Sequence, residues 1–174
     1  MAMIETERLH IRRVSPEDWR DIQAIWIGVT ETIYAQYDRP NDTDEASVRK
    51  RINGWASFSE SDAHMFFAVC QKNRVIGYVV FHQKGNGYEI GYCFHPDFHG
   101  KGYARESISA LIDEMRANGC TRLYAGTALK NLPSVKLLLS LGFRQTGTES
   151  VSFYRDANGD KICFDGGIFK LQLL

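Results

Sequence analysis

The chain has 174 residues, of which 44% are hydrophobic and 12% aromatic, and its 21 Lys and Arg residues balance its 21 Asp and Glu residues. This length and composition predict one globular domain spanning 1–174 with a sizeable core. Zero formal net charge argues against strong nonspecific attraction to nucleic acid or to an anionic membrane. No apolar run is long enough to span a bilayer, and the first residues lack a signal-peptide core, so we expect a cytoplasmic protein.

The four cysteines stand far apart in the sequence, at Cys70, Cys93, Cys120 and Cys163. They form neither a CxxC pair nor a cluster with histidines, so we expect no metal site and no disulfide framework. Four reduced thiols in a reducing compartment are the simpler interpretation.

The first half of the chain shows strand and helix patterns in turn. Leu9 and Ile11 alternate with charged residues, as in a half-buried strand, and Ser15-Pro16 is typical of a helix start. Two mostly apolar segments then flank a turn at Asn73-Arg74, which indicates a hairpin. We predict strands over 8–14, 65–71 and 75–82, a helix from 15, and a charged helix over 44–55.

The second half begins with a strand over 88–94 and ends with two strands around the turn Asp156-Ala157-Asn158-Gly159. Between them we predict a helix over 102–118, a strand over 122–127 and a helix over 131–141, with final strands over 143–154 and 161–173. A helix separates the strands 88–94 and 122–127, so we expect them to be parallel. The order predicts an α/β fold: a mixed, mostly antiparallel sheet of about seven strands with helices on both faces.

A glycine-rich turn joins the strand 88–94 to the following helix. Its residues are His99, Gly100, Lys101, Gly102, Tyr103 and Ala104. Glycines allow a tight turn close to a ligand, and the helix N-terminus offers unpaired N–H groups, so the turn suits a pyrophosphate. A P-loop would need Ser or Thr where Gly102 follows Lys101, and a dinucleotide fingerprint would need a small residue at Arg105.

Three segments resemble one family in the right order. The turn resembles motif A of the GNAT acetyltransferase superfamily, Gln/Arg-x-x-Gly-x-Gly/Ala, with His99 as a departure at the first position and Gly102 and Ala104 at the others. The opening IETERLHIRRVSPEDW resembles the RimJ/RimL-like branch, which includes acetyltransferases of protein N-termini. NLPSVKLLLSLGFRQTG resembles motif B of that branch. The resemblance covers nearly the whole chain and implies the GNAT fold, whose sheet is splayed at its centre.

The resemblance implies acetyl-CoA as co-substrate. In this family the turn holds the pyrophosphate of acetyl-CoA, and Lys101 and Arg105 would help to bind its phosphates here. The pantetheine arm lies in the gap beside the central strand, which is 88–94 in this chain. Backbone groups of Tyr92, Cys93 and Phe94 would then hold that arm and polarise the thioester carbonyl. The side chain of Asn131 resembles an Asn that hydrogen-bonds the pantetheine in this family. A plain helix cap would look the same in sequence, and Asn131 could do both.

Acetyl transfer to an amine needs a base for the amine and an acid for the departing thiolate. Glu89 is the candidate base, since a carboxylate on the central strand is unexpected unless one face of that strand is polar or functional. Ser134 is the candidate acid, because the position that carries a Tyr in many relatives is Leu138 here. The structural alternatives are a Glu89 that is solvated or paired in a salt bridge, and a Ser134 that caps the helix backbone. Cys93 could instead carry a covalent acyl group, but no neighbouring base is evident in the sequence.

The acceptor is expected to be a primary amine, either a protein N-terminus or a small molecule. Its site should involve the first two helices, their connecting loop and the last hairpin, with candidate lining residues Glu31, Tyr34, Tyr37, Asp38 and Tyr154. His10, His64 and His82 belong to no recognisable constellation. We expect no nucleic-acid or membrane partner, and both monomer and homodimer stay open. A non-catalytic acyl-CoA-binding module is the alternative function, and Ala substitution of Glu89 or Ser134 would discriminate the two.

Overall fold

The computed structural model describes residues 3–58 and 60–174, and within these ranges eight strands form one sheet in the order β1-β2-β3-β4-β5-β6-β8-β7. The strands are β1 Ile4–Glu5, β2 His10–Arg13, β3 His64–Gln71, β4 Arg74–Lys84, β5 Gly87–Phe94, β6 Arg122–Ala128, β7 Arg144–Arg155 and β8 Lys161–Gln172. The α-helices are α1 Trp19–Thr30, α2 Glu45–Ala56, α3 Tyr103–Ala117 and α4 Leu132–Ser140. Short 3-10 turns occupy Pro16–Asp18, Ala35–Tyr37 and Pro96–Phe98. None of the helices in the described ranges is long and apolar enough to cross a membrane.

Each predicted element is present, and the α/β fold expected from the resemblance is confirmed. The sheet has eight strands rather than about seven because Ile4–Glu5 adds a short edge strand that pairs antiparallel with β2. Two residues are too few for an alternating pattern, so the sequence carried no signal for this strand.

The two faces of the sheet are covered by different helices. On one face, side chains of α3 and α4 pack against Val79 and Phe81 of β4. On the other face, side chains of α1 and α2 pack against Tyr78 and Val80 of the same strand. Successive strand residues point to opposite faces. β5 therefore presents Glu89 and Cys93, the partners of His82 and Tyr78, toward the α1–α2 face.

The sheet opens between β5 and β6. These strands are parallel, as predicted, but pair only at Tyr88 with Leu123 and at Glu89 with Tyr124. Residues 90–94 of β5 have no pairing partner on β6. The strand β6 pairs along 122–128 with β8 on its other side. The splay leaves a gap with an unpaired strand edge at the centre of the molecule.

Candidate active site

A cavity of about 1290 Å³ lies at this gap and reaches both faces of the sheet. Its walls come from β5, the loop before α3, the start of α4, the α1–α2 connection and the β7–β8 hairpin. Most of the sequence-predicted site residues line it, namely Glu89, Tyr92, Cys93, Phe94, His99, Gly100, Gly102, Tyr103, Ala104, Arg105, Asn131 and Ser134. The structure therefore brings the two candidate catalytic residues and the glycine-rich turn to one cavity.

The glycine-rich turn has the backbone that the sequence suggests. Gly100 and Gly102 have φ angles of 71° and 82°, in the left-handed region that favours glycine, and Gly102 is the N-cap of α3. The first N–H groups of this 15-residue helix have no intrahelical acceptors, so they can bind an anion in the cavity.

Two predicted contributors to this turn have other partners. The ring of His99 places Nε2 2.8 Å from the carbonyl oxygen of Phe94, which ties the turn to the end of β5. The ammonium of Lys101 donates to the carbonyl oxygen of Asp97 at 2.7 Å, and Lys101 is not among the residues that line the cavity. Both side chains thus brace the turn in this structure.

Arg8 clamps the turn from the N-terminal segment. Its guanidinium donates to the carbonyl oxygen of Lys101 at 2.9 Å and, through Nε, to Glu106 Oε2 at 2.7 Å. The hydroxyl of Thr6 donates to Glu106 Oε1 at 2.6 Å. Burial alone would raise the pKa of Glu106, but hydrogen bonds from Thr6 and Arg8 outweigh it and lower the pKa. The stabilisation by this clamp is therefore fully present at pH values above the ordinary pKa of Glu. It is lost as the pH falls through the lowered pKa of Glu106.

We expect Arg8→Ala to raise KM for acetyl-CoA about tenfold, equivalent to about 1.4 kcal/mol, with kcat little changed. The reason is that the turn would lose its brace while the groups near the reacting atoms stay in place. Steady-state kinetics with varied acetyl-CoA measures the effect. Arg116→Ala is the matched control, since Arg116 is an equally exposed arginine on α3 that pairs with Asp113 instead. An equal KM in both variants would contradict the bracing role.

The α4 side of the cavity contains a pair of hydroxyl groups. Tyr92 OH lies 2.9 Å from Ser134 Oγ. Burial raises the pKa of Tyr92 to about 12, although the hydrogen bond with Ser134 acts in the opposite direction. Asn131 caps α4, since its side-chain oxygen accepts the Ser134 N–H at 3.4 Å. The sequence interpretation gave Tyr92 only a backbone role, but strand alternation already places its side chain on the α3–α4 face.

The α1–α2 side of the cavity contains Glu89 and Cys93. Glu89 Oε1 accepts a hydrogen bond from Lys84 Nζ at 2.8 Å, and both side chains are about half exposed, at 45% and 55%. Burial, followed by the charge of Asp38, raises the pKa of Cys93 to about 12. The Cys93 thiol is therefore protonated at neutral pH and is a poor nucleophile.

The acceptor-side wall agrees in part with the sequence interpretation. Tyr34, Tyr37 and Asp38 line the cavity, whereas Glu31 and Tyr154 are not among its lining residues. Tyr154 OH instead donates to the carbonyl oxygen of Ala35 at 3.3 Å. Further lining residues that the sequence did not indicate are Arg39, Arg51, Trp55, Phe153 and Phe164. They come from distant segments without a shared pattern, so only tertiary structure could group them.

Comparison with known proteins gives a consistent result. Residues 8–144 match the acetyltransferase (GNAT) domain family. The chain is 31% identical over 153 residues to the uncharacterized N-acetyltransferase p20 of Bacillus licheniformis, covering 84% of this chain and 85% of that protein. Among solved structures, yncA of Salmonella typhimurium with its cofactor acetyl-CoA is 27% identical, with a TM-score of 0.72 over 97% of this chain and 95% of that one. The ribosomal-protein-S5-alanine acetyltransferase of Vibrio fischeri shares the fold, with a TM-score of 0.81 at 21% identity over 99% and 97% of the two chains.

The splayed sheet, with the glycine-rich turn and the N-terminus of α3 at its gap, agrees with the fold that the sequence resemblance implied. The chain belongs to the GNAT acetyltransferase family. It is an N-acetyltransferase whose acetyl donor is acetyl-CoA, as the family match and the named relatives show.

Proposed function

We propose that the enzyme transfers the acetyl group directly from acetyl-CoA to a primary amine, with both substrates bound together. The observation that carries this proposal is that the glycine-rich turn and the aromatic residues of the acceptor-side wall line the same cavity. Its volume of about 1290 Å³ exceeds that of ordinary small-molecule sites, which is about 300–1,000 Å³, so two substrates have room at once. The protonated Cys93 thiol argues against an acetyl-enzyme intermediate.

The residues present fit acetyl-CoA. The left-handed Gly100 and Gly102 and the start of α3 would hold the pyrophosphate, and the unpaired edge of β5 at 92–94 would hold the pantetheine arm. Bound acetyl-CoA supplies the thioester whose acetyl group is transferred. The strand edge and the helix start would bind the cofactor through backbone groups, and the two glycines permit the left-handed backbone of the turn.

Acid and base roles fall on opposite faces of the sheet. An ammonium acceptor must lose one proton before attack and a second after it. We assign removal of the first proton to Glu89, which would act through a water molecule from the α1–α2 face. We assign proton donation to the departing sulfur to Ser134 with Tyr92, acting from the α4 face. The neutral Tyr92 hydroxyl suits this task, because its pKa of about 12 keeps it protonated.

The acceptor is a protein N-terminus or a small-molecule amine. Tyr34, Tyr37 and Asp38 give the acceptor wall aromatic faces and a carboxylate, which suit a cationic amine. Arg39 and Arg51 on the same wall can pair with a carboxylate or carbonyl group next to that amine. The likeness to an acetyltransferase named for an alanine of ribosomal protein S5 supports a protein acceptor.

The test is release of free CoA thiol from acetyl-CoA with a panel of N-terminal peptides, amino acids and polyamines. Turnover with one of these classes defines the acceptor. Binding of acetyl-CoA without acetylation of any amine would overturn the proposal in favour of a non-catalytic acyl-CoA-binding module.

Glu89→Gln is expected to lower kcat about 100-fold at neutral pH, within the usual range for loss of a general base. Lys84→Met should leave kcat equal or higher, because it frees the Glu89 carboxylate from an exposed ion pair worth about 0–1 kcal/mol. Glu31→Gln, outside the cavity lining, serves as the control. If Glu89→Gln retains the parent rate, Glu89 is not the base.

A further inference from the structure

Three titratable side chains form a row across three neighbouring strands. His64 on β3 is the register partner of His82 on β4, and His82 is the register partner of Glu89 on β5. Directly opposed residues share a face, with Cβ atoms about 4.5–5.5 Å apart. The row therefore lies on the α1–α2 face, where the acceptor wall is. His64 and His82 are 18 residues apart in sequence, so no local motif indicates the row.

The two imidazoles contact each other in one specific way. His64 Nδ1 and His82 Nδ1 are 2.9 Å apart. At this distance one nitrogen carries the hydrogen and the other accepts it, so the two Nδ1 atoms share one proton. The pair can take up one extra proton, which can move from ring to ring across this bond.

The two rings also face different surroundings. His82 is half-buried and lines the cavity, whereas His64 is exposed. Burial, followed by the charge of His64, lowers the pKa of His82, while Glu89 acts in the opposite direction. Lys84, on the same strand as His82, is paired with Glu89. His82 is therefore neutral at pH 7 and able to accept a proton from the cavity side.

We propose that His82 and His64 form a proton relay that carries the acceptor's first proton from Glu89 to solvent. The inference rests on the proposed function. The ammonium gives up two protons, of which one goes to the CoA sulfur and one passes through water and Glu89 to His82 Nε2. The Nδ1 proton of His82 then moves to His64 Nδ1, and His64 releases its Nε2 proton to water. One proton enters the relay and one leaves it, and exchange with solvent restores the starting tautomers between turnovers.

A purely structural role is the competing explanation. The ring of Phe58 lies 5.3 Å from that of His64, and the ring of Phe66 lies 5.5 Å from that of His82, so the histidines also belong to an aromatic cluster. His64→Phe preserves an aromatic ring at this place but cannot transfer a proton. It therefore separates proton transfer from packing.

The experiment measures kcat for His82→Gln and His64→Phe from pH 5.5 to 9, with and without added imidazole. We expect kcat to fall about tenfold or more in both variants, with KM for acetyl-CoA unchanged and with recovery in imidazole buffer. The parent should lose activity at acidic pH, because a protonated relay cannot accept a further proton, and this acidic limb of the pH profile should vanish in His82→Gln. His10→Gln, a strand histidine outside the cavity, should match the parent.

The outcomes separate the two proposals. Normal kcat in both variants at every pH, with an active parent, would overturn the relay and leave the proposed function intact. A fall in kcat that imidazole does not restore would assign the histidines to packing and also overturn the relay. A parent that acetylates no amine would overturn the proposed function, and the relay with it.

Discussion

Gly102→Glu is expected to abolish acetyl-CoA binding. Gly102 has a φ of 82°, and its position is the N-cap of α3, so the substitution would place a carboxylate where the pyrophosphate is expected. A Cβ there would also lie 3.3 Å from Arg8 Nη2, against the group that braces the turn. Repulsion of like charges and loss of the left-handed backbone act in the same direction, and we expect a loss of about 100-fold or more in affinity.

The measurement is a thermal melt with and without acetyl-CoA. A ligand at about 100 times its Kd stabilises a protein by about 2.7 kcal/mol, which corresponds to about 5–10 °C for a domain of this size. The parent should show this shift and the variant should show none. Gly119→Glu is the matched control, because Gly119 has a φ of 83° at the other end of α3 and has open space around its Cβ position. A shift retained in Gly102→Glu would remove the pyrophosphate site from this turn.

Loss of the Tyr92–Ser134 hydroxyl pair should produce the second large effect. We expect Tyr92→Phe and Ser134→Ala each to lower kcat about 100-fold, with little change in KM for acetyl-CoA. The double variant should be no slower than the slower single variant, because hydroxyls 2.9 Å apart that serve one proton transfer act as a unit. Each single substitution also leaves one hydroxyl without its hydrogen-bond partner, which lowers the stability of the protein. Thermal melts of each variant should therefore accompany the kinetics.

The pH profile gives an independent check of the same pair. Tyr92 must be protonated to donate, and its pKa is about 12, so kcat should show no fall from this group up to about pH 10. Tyr88→Phe is the control on the same face of β5, and Ser140→Ala is the control on α4. If Tyr92→Phe keeps the parent rate while Ser134→Ala does not, then Ser134 donates alone and Tyr92 only packs against it.

The sequence predicted the features of this fold that are set by local periodicity. The helices and the long strands repeat or terminate patterns within a few residues of one another. The parallel pairing of β5 and β6 followed from the helix between them. The placement of the glycine-rich turn followed in the same way, because a strand, a turn and a helix are consecutive in the chain.

The contacts that complete the candidate site could not be predicted, because each joins segments far apart in the chain. Arg8 and Glu106 are separated by 98 positions, and Tyr92 and Ser134 by 42. In the sequence, Arg8 is one of many exposed charges, and its role depends on a carboxylate that arrives only through tertiary folding. His99 is a related case, since its family position suggested a phosphate contact, whereas its ring binds the end of β5 in this structure.

The acceptor wall lies on the α1–α2 face and the hydroxyl pair lies on the α4 side, and this separation has a consequence for how the enzyme can diverge. Mutations on the α1–α2 wall can change the acceptor while the glycine-rich turn and the hydroxyl pair keep their geometry. Gly28 lies where α1 packs against the segment that leads to the glycine-rich turn. A Cβ on this α1 residue would lie 3.0 Å from Cδ of Pro96 in that segment. New acceptor preferences should therefore evolve readily along the wall, whereas a larger residue at Gly28 would disturb acetyl-CoA binding as well.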